Sequence, residues 1–326
     1  MASTATTSES VFAPYDRLTS RGPGAGANVL RFMRHKPLGA FGAAMVLLVI
    51  ACALFAPQIA PYHFDKHDFL HRLKPPNTAG HLLGTDDQGR DILSRVIYGA
   101  RVSAFVGFGS VLIATLVAGT IGIVSGYAGG KLDTLVQRLV DIWIAFPALI
   151  LLITITAIFG TPTSVHTFGA GPLKISLDPS QLRAAQIIFA LGLIFTGGSS
   201  RVIRSAVISV RGNQYIEGAR TVGSGNLRIL LHYIVPNVMP TLIILASVQL
   251  GAAILLETSL GFLGFGIPPP VPSWGSMLAG VAQHEIRQDP WLSVWPGAAI
   301  ALTVFGFNML GDALRDVLDP RLRGAR

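Results

Sequence analysis

Six long apolar runs recur along the chain, separated by segments rich in charge, proline and glycine. The hydrocarbon core of a bilayer is crossed by roughly 20 residues of α-helix, and each run has about that length. The six predicted spans are residues 38–57, 102–124, 135–159, 182–199, 236–260 and 291–310. The pattern therefore predicts an all-α, polytopic membrane protein with six transmembrane helices.

Two of these runs contain helix breakers. Pro147 lies inside the third run and predicts a kink there. Gly192, Gly197 and Gly198 lie inside the fourth run and weaken its helical pattern. We expect residues 160–181, which contain three prolines, to form an external loop.

The composition supports a membrane location, and the charge distribution predicts an orientation. The chain is 51% hydrophobic and only 13% charged, with a mean hydropathy of +0.55. A net charge of +8 on a soluble protein would suggest nucleic acid as a partner. Here most Lys and Arg residues share one side if the N-terminus is placed inside, which is the positive-inside pattern. We therefore expect both termini in the cytoplasm and no nucleic-acid partner.

The predicted organisation has a tail at each end of the membrane domain. Residues 1–36 are expected to form a cytoplasmic tail, disordered over 1–27 and ending in a basic interfacial anchor over 28–36. Residues 37–310 form the transmembrane domain, with an external segment over 58–101 and a cytoplasmic loop over 200–236. Residues 311–326 form the second tail, in which a short surface helix is stopped by Pro320.

The polar stretch between the fourth and fifth runs has its own helical pattern. Residues 215–222 predict one helix, residues 223–225 a glycine turn, and residues 226–235 a second helix capped by Asn or Ser. Apolar residues recur at helical spacing in the second helix and predict its buried face: Leu227, Leu230, Leu231 and Ile234. Charged residues accompany them, so the stretch is expected to lie at the membrane surface.

This stretch resembles the cytoplasmic loop of permease subunits in binding-protein-dependent ABC importers. That loop has the pattern Glu-Ala-Ala, three residues, Gly, nine residues, Ile-x-Leu-Pro. Four residues match it at the same spacing: Glu217, Ala219, Gly223 and Pro236. Gly218 replaces the first Ala, Tyr233 replaces the Ile, and Val235 replaces the Leu. These departures affect packing residues and leave the spacing intact.

Three further stretches resemble the dipeptide, oligopeptide and nickel class of these permeases. Residues 81–103 contain its Leu-Gly-Thr-Asp, Gly-Arg-Asp, Leu-Ser-Arg and Tyr-Gly-Ala-Arg pieces in order. The segment after the fifth run and the closing Gly-Asp-x-Leu-Arg-Asp-x-Leu-Asp-Pro also match. The resemblance covers residues 28 to about 321, and the chain is identified as a C-type permease of this class.

The resemblance implies a type I ABC importer permease and a set of partners. The chain would pair with a second homologous permease and receive substrate from an extracytoplasmic binding protein. Two ATP-binding subunits would dock on the 200–236 loop through its motif residues: Glu217, Gly218, Ala219, Gly223 and Pro236. Peptides are the implied substrate, and relatives of this type also carry nickel, glutathione or oligosaccharides. The implied location is the inner, or plasma, membrane of a prokaryote.

The chain has no nucleotide-binding motif of its own. Its Gly-Lys pair, Gly130-Lys131, has Ser125 where a phosphate-binding loop needs Gly and Leu132 where it needs Ser or Thr. We therefore expect no enzyme activity and no cofactor in this chain, with ATP and Mg handled by partner subunits. The alternative is a self-contained secondary carrier, which would place ionisable residues and broken helices near mid-membrane.

Two further groups of residues could carry chemistry. Glu257 lies inside the fifth run, as a satisfied polar contact between helices or as part of the gate and pathway lining. His63, His67 and His71 are spaced by four and would share one face of a helix, where imidazoles can bind Ni or Zn. Flanking prolines argue against a continuous helix, so we favour an ordinary external loop without a metal.

Overall fold

A computed structural model describes residues 34, 36–78, 80–168, 175–284 and 289–318. The N-terminal tail and most of the basic anchor predicted over 28–36 lie outside the described residues. The ten α-helices of the described part are α1 Pro37–Ile59, α2 Ile92–Ala128, α3 Gly130–Ile144, α4 Ala148–Phe159, α5 Pro179–Arg211, α6 Gln214–Thr221, α7 Asn226–Ile229, α8 Val235–Phe262, α9 Trp274–His284 and α10 Trp291–Leu318. A π-helical turn, Leu230–Ile234, joins α7 to α8.

Five helical segments are long and apolar enough to cross a membrane: α1, α2, α5, the continuous stretch Asn226–Phe262, and α10. The third predicted span is instead a pair of helices, α3 and α4, bent by 87° at the break before Pro147. Proline lacks the N–H that a continuing helix would need. The six predicted spans therefore appear as five helices plus one broken pair, and the kink predicted at Pro147 is a complete break.

The three glycines of the fourth run do not interrupt α5, and two of them, Gly192 and Gly197, are contact points with neighbouring helices. A Cβ at Gly192 would lie 2.6 Å from Ile113 of α2, and one at Gly197 would lie 2.8 Å from Ile144 of α3. From the other side, a Cβ at Gly122 of α2 would lie 2.6 Å from the Ser200 carbonyl of α5. Close packing of this kind drives helix association in lipid, so α2 and α5 form a tight pair.

α2 begins ten residues before the predicted second span, at a well-formed cap. The Asp91 carboxylate accepts hydrogen bonds from the Ser94 N–H at 2.8 Å and the Ser94 hydroxyl at 2.7 Å. His81 Nδ1 lies 2.9 Å from the same carboxylate. The Gly-Arg-Asp and Leu-Ser-Arg pieces of the external segment thus start the helix that forms the second span.

Two smaller features differ from the sequence prediction. A two-stranded antiparallel sheet, β1 His166–Phe168 with β2 Ile175–Leu177, lies within the predicted 160–181 loop. The short helix predicted in the C-terminal tail is instead the continuation of α10, which runs unbroken to Leu318. Pro320, its predicted stop, lies outside the described residues. Near that end, Lys36 Nζ lies 2.6 Å from an Asp316 carboxylate oxygen and joins the start of α1 to α10.

Candidate coupling site

The residues between α5 and α8 form a helix–turn–helix, in which α6 ends at a glycine turn as predicted. Gly223 has φ +82°, the left-handed region that glycine adopts without a Cβ penalty. Its N–H donates to the Arg220 carbonyl at 2.9 Å, and the Ser224 N–H donates to the Ala219 carbonyl at 3.0 Å. These two bonds satisfy the last carbonyls of α6 in the Schellman arrangement.

The second helix differs from the prediction in its length and its cap. α7 has only four residues, and it continues through the π-helical turn into α8 instead of ending before Pro236. Pro236 follows directly after the π-helical turn, as the second residue of α8. The cap is Gly225, with no side-chain hydrogen bond, and Asn226 instead accepts a bond at 2.8 Å from the Tyr127 hydroxyl.

The buried face of this second arm agrees with the prediction at Leu230 and Ile234, which lie in or against the buried cluster, and differs from it at Leu227 and Leu231. Ile229 and Ile234 are fully buried, whereas Leu227 is 68% exposed and Leu231 is 52% exposed. The π-helical turn has more residues per turn than an α-helix and so brings residues five apart, here Ile229 and Ile234, onto one face. The periodicity of an ordinary α-helix could not predict this face.

The motif residues divide between an exposed surface and a buried anchor. Four of them are exposed: Glu217, Gly218, Gly223 and Pro236. Ala219 is buried next to Ile216, in a cluster that includes Ile203 and Val207 of α5. The small Ala219 side chain therefore lets α6 lie close to the membrane helices, while the other motif residues face outward.

The outward face of the helix–turn–helix carries an unpaired charge and apolar side chains. Within the described residues, the Glu217 carboxylate has neither a hydrogen bond nor an ion pair. Val222 before the turn is 82% exposed, and Leu227 after it is 68% exposed. A patch that combines an unpaired acid with exposed apolar residues on a polar loop is typical of a protein-binding surface.

Glu257 lies on α8, toward the end of that helix far from the helix–turn–helix, and it is fully buried. Its Oε2 accepts a hydrogen bond from the Ser103 hydroxyl of α2 at 3.0 Å. Within the described residues, its Oε1 has no hydrogen-bond partner. The polar contact between helices that the sequence suggested is therefore present, and it links the second span to the fifth.

The three histidines of the external segment do not share a helix face. Only Phe69–His71 is helical there, as a short 3₁₀ turn. His63 packs against Phe64 at a ring distance of 4.3 Å, and His67 stacks on Phe69 at 5.5 Å. His71 Nδ1 lies 2.8 Å from an Asp68 carboxylate oxygen, and this hydrogen bond lowers the pKa of Asp68 below its ordinary value. The three imidazoles thus have three separate sets of contacts.

Sequence reasoning missed the buried Arg183, which lies in the first turns of α5 and is 1% exposed. Its Nη1 donates to the carbonyls of Thr156 at 2.9 Å and Gly160 at 3.0 Å. Its Nη2 donates to the Phe265 carbonyl at 2.6 Å, and Nε donates to the Gly266 carbonyl at 3.3 Å. One guanidinium thus joins α5 to the end of α4 and to the segment after α8. The sequence did contain one signal for it, because a charged residue inside the predicted fourth span needs a buried partner.

Ion pairs hold α3 along α5. Both oxygens of the Asp133 carboxylate accept hydrogen bonds of 2.5 Å from the Arg204 guanidinium. Eight residues further along α3, Asp141 pairs with Arg201. The acids on α3 and the bases on α5 run in opposite directions, so the two helices lie antiparallel.

The comparisons with known proteins agree with this architecture. The family of binding-protein-dependent transport system inner membrane components matches residues 118–324. The chain belongs to this family of importer permeases. Residues 26–76 match the N-terminal transmembrane domain of oligopeptide transport permease C. The family is a membrane permease component of ABC importers and not an ATPase.

Several curated permeases are similar over most of the chain. Identity is 37% over 310 residues, covering 95% of this chain and 94% of the relative, with the dipeptide transport system permease protein DppC of Alkalihalophilus pseudofirmus. It is 38% over 295 residues, covering 88% and 89%, with the di/tripeptide permease DppC of Pseudomonas aeruginosa. It is 34% over 297 residues, covering 90% of each chain, with the glutathione permease GsiD of Pectobacterium atrosepticum.

A solved structure supports the predicted fold. The inward-facing MetNI methionine ABC transporter aligns with a TM-score of 0.52 and 18% identity, covering 69% of this chain and 96% of that chain. At this identity the likeness concerns the fold alone. The chain therefore has the fold of a type I ABC importer permease, as the resemblance implied.

Proposed function

We propose that this chain is the C-type permease subunit of a peptide importer and forms half of its translocation pathway. The other half would come from a second, homologous permease. The observation that carries the proposal is the exposed helix–turn–helix, whose motif residues Glu217 and Gly223 face away from the membrane helices. A surface of this kind on a permease gives ATP-binding subunits a place to dock.

In this proposal the chain carries no nucleotide and no metal. Two ATP-binding subunits hold ATP and Mg. They close when ATP binds, and the 200–236 loop transmits this movement to the pathway, which opens outward. An extracytoplasmic binding protein delivers the substrate to the opposite face, where residues 58–101 pack beside α9. There Trp274 Nε1 of α9 donates to the Val96 carbonyl of α2 at 2.9 Å. Glu257 lies on the same side of the molecule and is proposed to line or gate the pathway.

The proposed orientation places both termini and the helix–turn–helix in the cytoplasm of a prokaryote, with this chain in its inner, or plasma, membrane. The salt bridge between Lys36 and Asp316 supports a common side for both termini. The test uses Leu70→Cys and Val222→Cys in a Cys52→Ser background, because these positions are 88% and 82% exposed. An impermeant thiol reagent on intact cells should label Leu70→Cys only, and the reverse pattern would overturn the orientation.

Di- or oligopeptides are the proposed substrate. Relatives named for dipeptide and di/tripeptide transport support this choice, and the relative named for glutathione transport supports a second candidate. Both candidates are small peptides with free carboxylates, so the site's chemistry alone does not distinguish them. A competition experiment between the two does.

The substrate test measures uptake of a labelled dipeptide by cells that carry the complete transporter. An excess of unlabelled di- or tripeptides should abolish the uptake, whereas an equal excess of glutathione should leave most of it. Mass spectrometry of the ligand that co-purifies with the cognate binding protein provides an independent check. If glutathione is the bound ligand, and if an excess of glutathione abolishes dipeptide uptake, the second candidate is favoured.

A further inference from the structure

Tyr127, one residue before the end of α2, contacts both arms of the helix–turn–helix. Its hydroxyl donates a hydrogen bond of 2.8 Å to Oδ1 of Asn226 in α7. Its ring centroid lies 5.9 Å from the guanidinium carbon of Arg220 in α6, within the range of a cation–π contact. Arg211, at the end of α5, lies at 6.0 Å from the same ring. One side chain of the second span therefore joins three neighbouring elements.

The position of this side chain is set by close packing between α2 and α5. A Cβ at Gly126 would lie 3.0 Å from the Arg204 carbonyl of α5, so the two backbones nearly touch beside Tyr127. The ring packs on the buried cluster that contains Ile216 and Ile229. Tyrosine suits this place because its body is apolar and its tip is a hydrogen-bond donor.

The connectivity of the chain shows which spans are linked to the helix–turn–helix by the backbone and which are not. α5 leads directly into α6, and α7 continues into α8, so a displacement of the helix–turn–helix reaches the fourth and fifth spans along the backbone. α2 has no such covalent connection to the loop. At this end α2 meets α7 through the Tyr127 hydrogen bond, and toward its other end Ser103 bonds to Glu257 of α8.

We infer that Tyr127 is a positioning residue that carries the displacement of the helix–turn–helix into the second span. This inference rests on the proposed role of that loop in coupling to ATP-binding subunits. Without the tyrosine, the loop would still dock its partners and move the fourth and fifth spans. Packing against α5 would still move most of the second span, but its end beside the loop would follow incompletely. ATP hydrolysis would then continue with less transport for each ATP.

The experiment uses the assembled transporter in proteoliposomes and measures peptide uptake and ATP hydrolysis in the same vesicles. Tyr127→Ala is expected to lower the ratio of peptide transported to ATP hydrolysed by about tenfold. Tyr127→Phe keeps the ring and loses one hydrogen bond, so its ratio should fall by about threefold. Phe105→Ala truncates another aromatic residue of α2, one that is 63% exposed, and should keep the wild-type ratio. A wild-type ratio for Tyr127→Ala would overturn the inference.

A double-mutant cycle isolates the hydrogen bond. Asn226→Ala removes the acceptor, and Asn226 does not cap α7, so the helix start is kept. Each single variant, Tyr127→Phe and Asn226→Ala, should lower the ratio by a similar factor, and the double variant should be no worse. If the double variant instead lowered the ratio by the product of the two single-variant factors, the inference would be contradicted. If Tyr127→Ala does not accumulate in the membrane, these milder variants still decide the question.

A matched measurement separates this inference from the proposed function. Glu217→Lys in the same vesicles tests the docking surface without touching Tyr127. If Glu217→Lys loses coupled transport while the Tyr127 variants keep it, the loop couples and only the inference fails. If Glu217→Lys also transports normally, the assignment of the loop itself fails.

Discussion

Gly223→Val and Glu217→Lys are each expected to lower uptake by at least about tenfold while the protein accumulates normally in the membrane. Gly223 adopts φ +82°, a region that costs a residue with a Cβ about 1–2 kcal/mol and a β-branched residue more. A Cβ there would meet no atom of this chain within 4 Å. The loss of uptake is therefore expected to come from a distorted turn and from a steric clash with the docked partner.

The reason for Glu217→Lys is electrostatic. The wild-type carboxylate is exposed and is unpaired within the described part of the chain. Its replacement by lysine therefore breaks no hydrogen bond or ion pair among the described residues. It reverses the charge presented to the partner surface, and like charges placed opposite each other at an interface cost several kcal/mol.

Gly218→Ala is the matched control for both variants. Gly218 is exposed on the same helix, and a Cβ there would meet no atom within 4 Å. Alanine favours a helix over glycine by roughly 0.5–1 kcal/mol, and it is the residue that the importer pattern has at this docking position, so transport should be kept. The measurements are uptake and co-purification of the ATP-binding subunits. Wild-type uptake by both Gly223→Val and Glu217→Lys in assembled complexes would show that the loop is not the coupling element.

Arg183→Met is expected to have the largest effect on stability, lowering the free energy of unfolding by about 3–5 kcal/mol. The guanidinium is 1% exposed and donates to backbone carbonyls of the segment after α8 and of the end of α4, including Gly160 and Phe265. Methionine fills similar space and leaves these carbonyls without their donors. We expect low abundance in the membrane and a melting temperature lower by on the order of 10 °C in detergent.

Two variants bracket this result. Arg183→Lys keeps the charge, but a lysine ammonium cannot spread its bonds over both segments as the planar guanidinium does. Its melting temperature should fall between those of the wild type and Arg183→Met. Arg228→Met, on the exposed surface of α7, should leave abundance and melting unchanged. Equal stability of Arg183→Met and wild type would mean that these hydrogen bonds contribute little to the fold.

The parts of the fold that sequence predicts well are those that follow from local chemistry. Apolar runs long enough to cross the bilayer predicted the five long helices. Backbone N–H and C=O groups without hydrogen bonds are costly in lipid, so an apolar run of that length has few alternatives to an α-helix. Gly223 indicated the left-handed turn for a similar reason, since few other residues adopt that conformation without strain. The break at Pro147 was located, although its angle of 87° depends on how α3 lies along α5.

The parts that sequence missed depend on contacts between distant segments. The glycines of the fourth run looked like helix breakers, yet Gly192 and Gly197 allow α5 to approach its neighbours. Just before the π-helical turn, Ile229 is buried and Leu227 is exposed, a register that apolar spacing does not reveal. Tyr127 carried no local signal, because its partners lie beyond the end of its own helix.

Dipeptide uptake by proteoliposomes, with and without the ATP-binding subunits, tests most directly whether this permease is driven by partners. The liposomes contain this chain with its homologous permease, and the binding protein is supplied outside. We expect uptake only when the ATP-binding subunits and ATP are present inside, and none when a non-hydrolysable ATP analogue replaces ATP. Uptake by the permease pair alone, driven by an ion gradient, would contradict the account and identify a self-contained carrier.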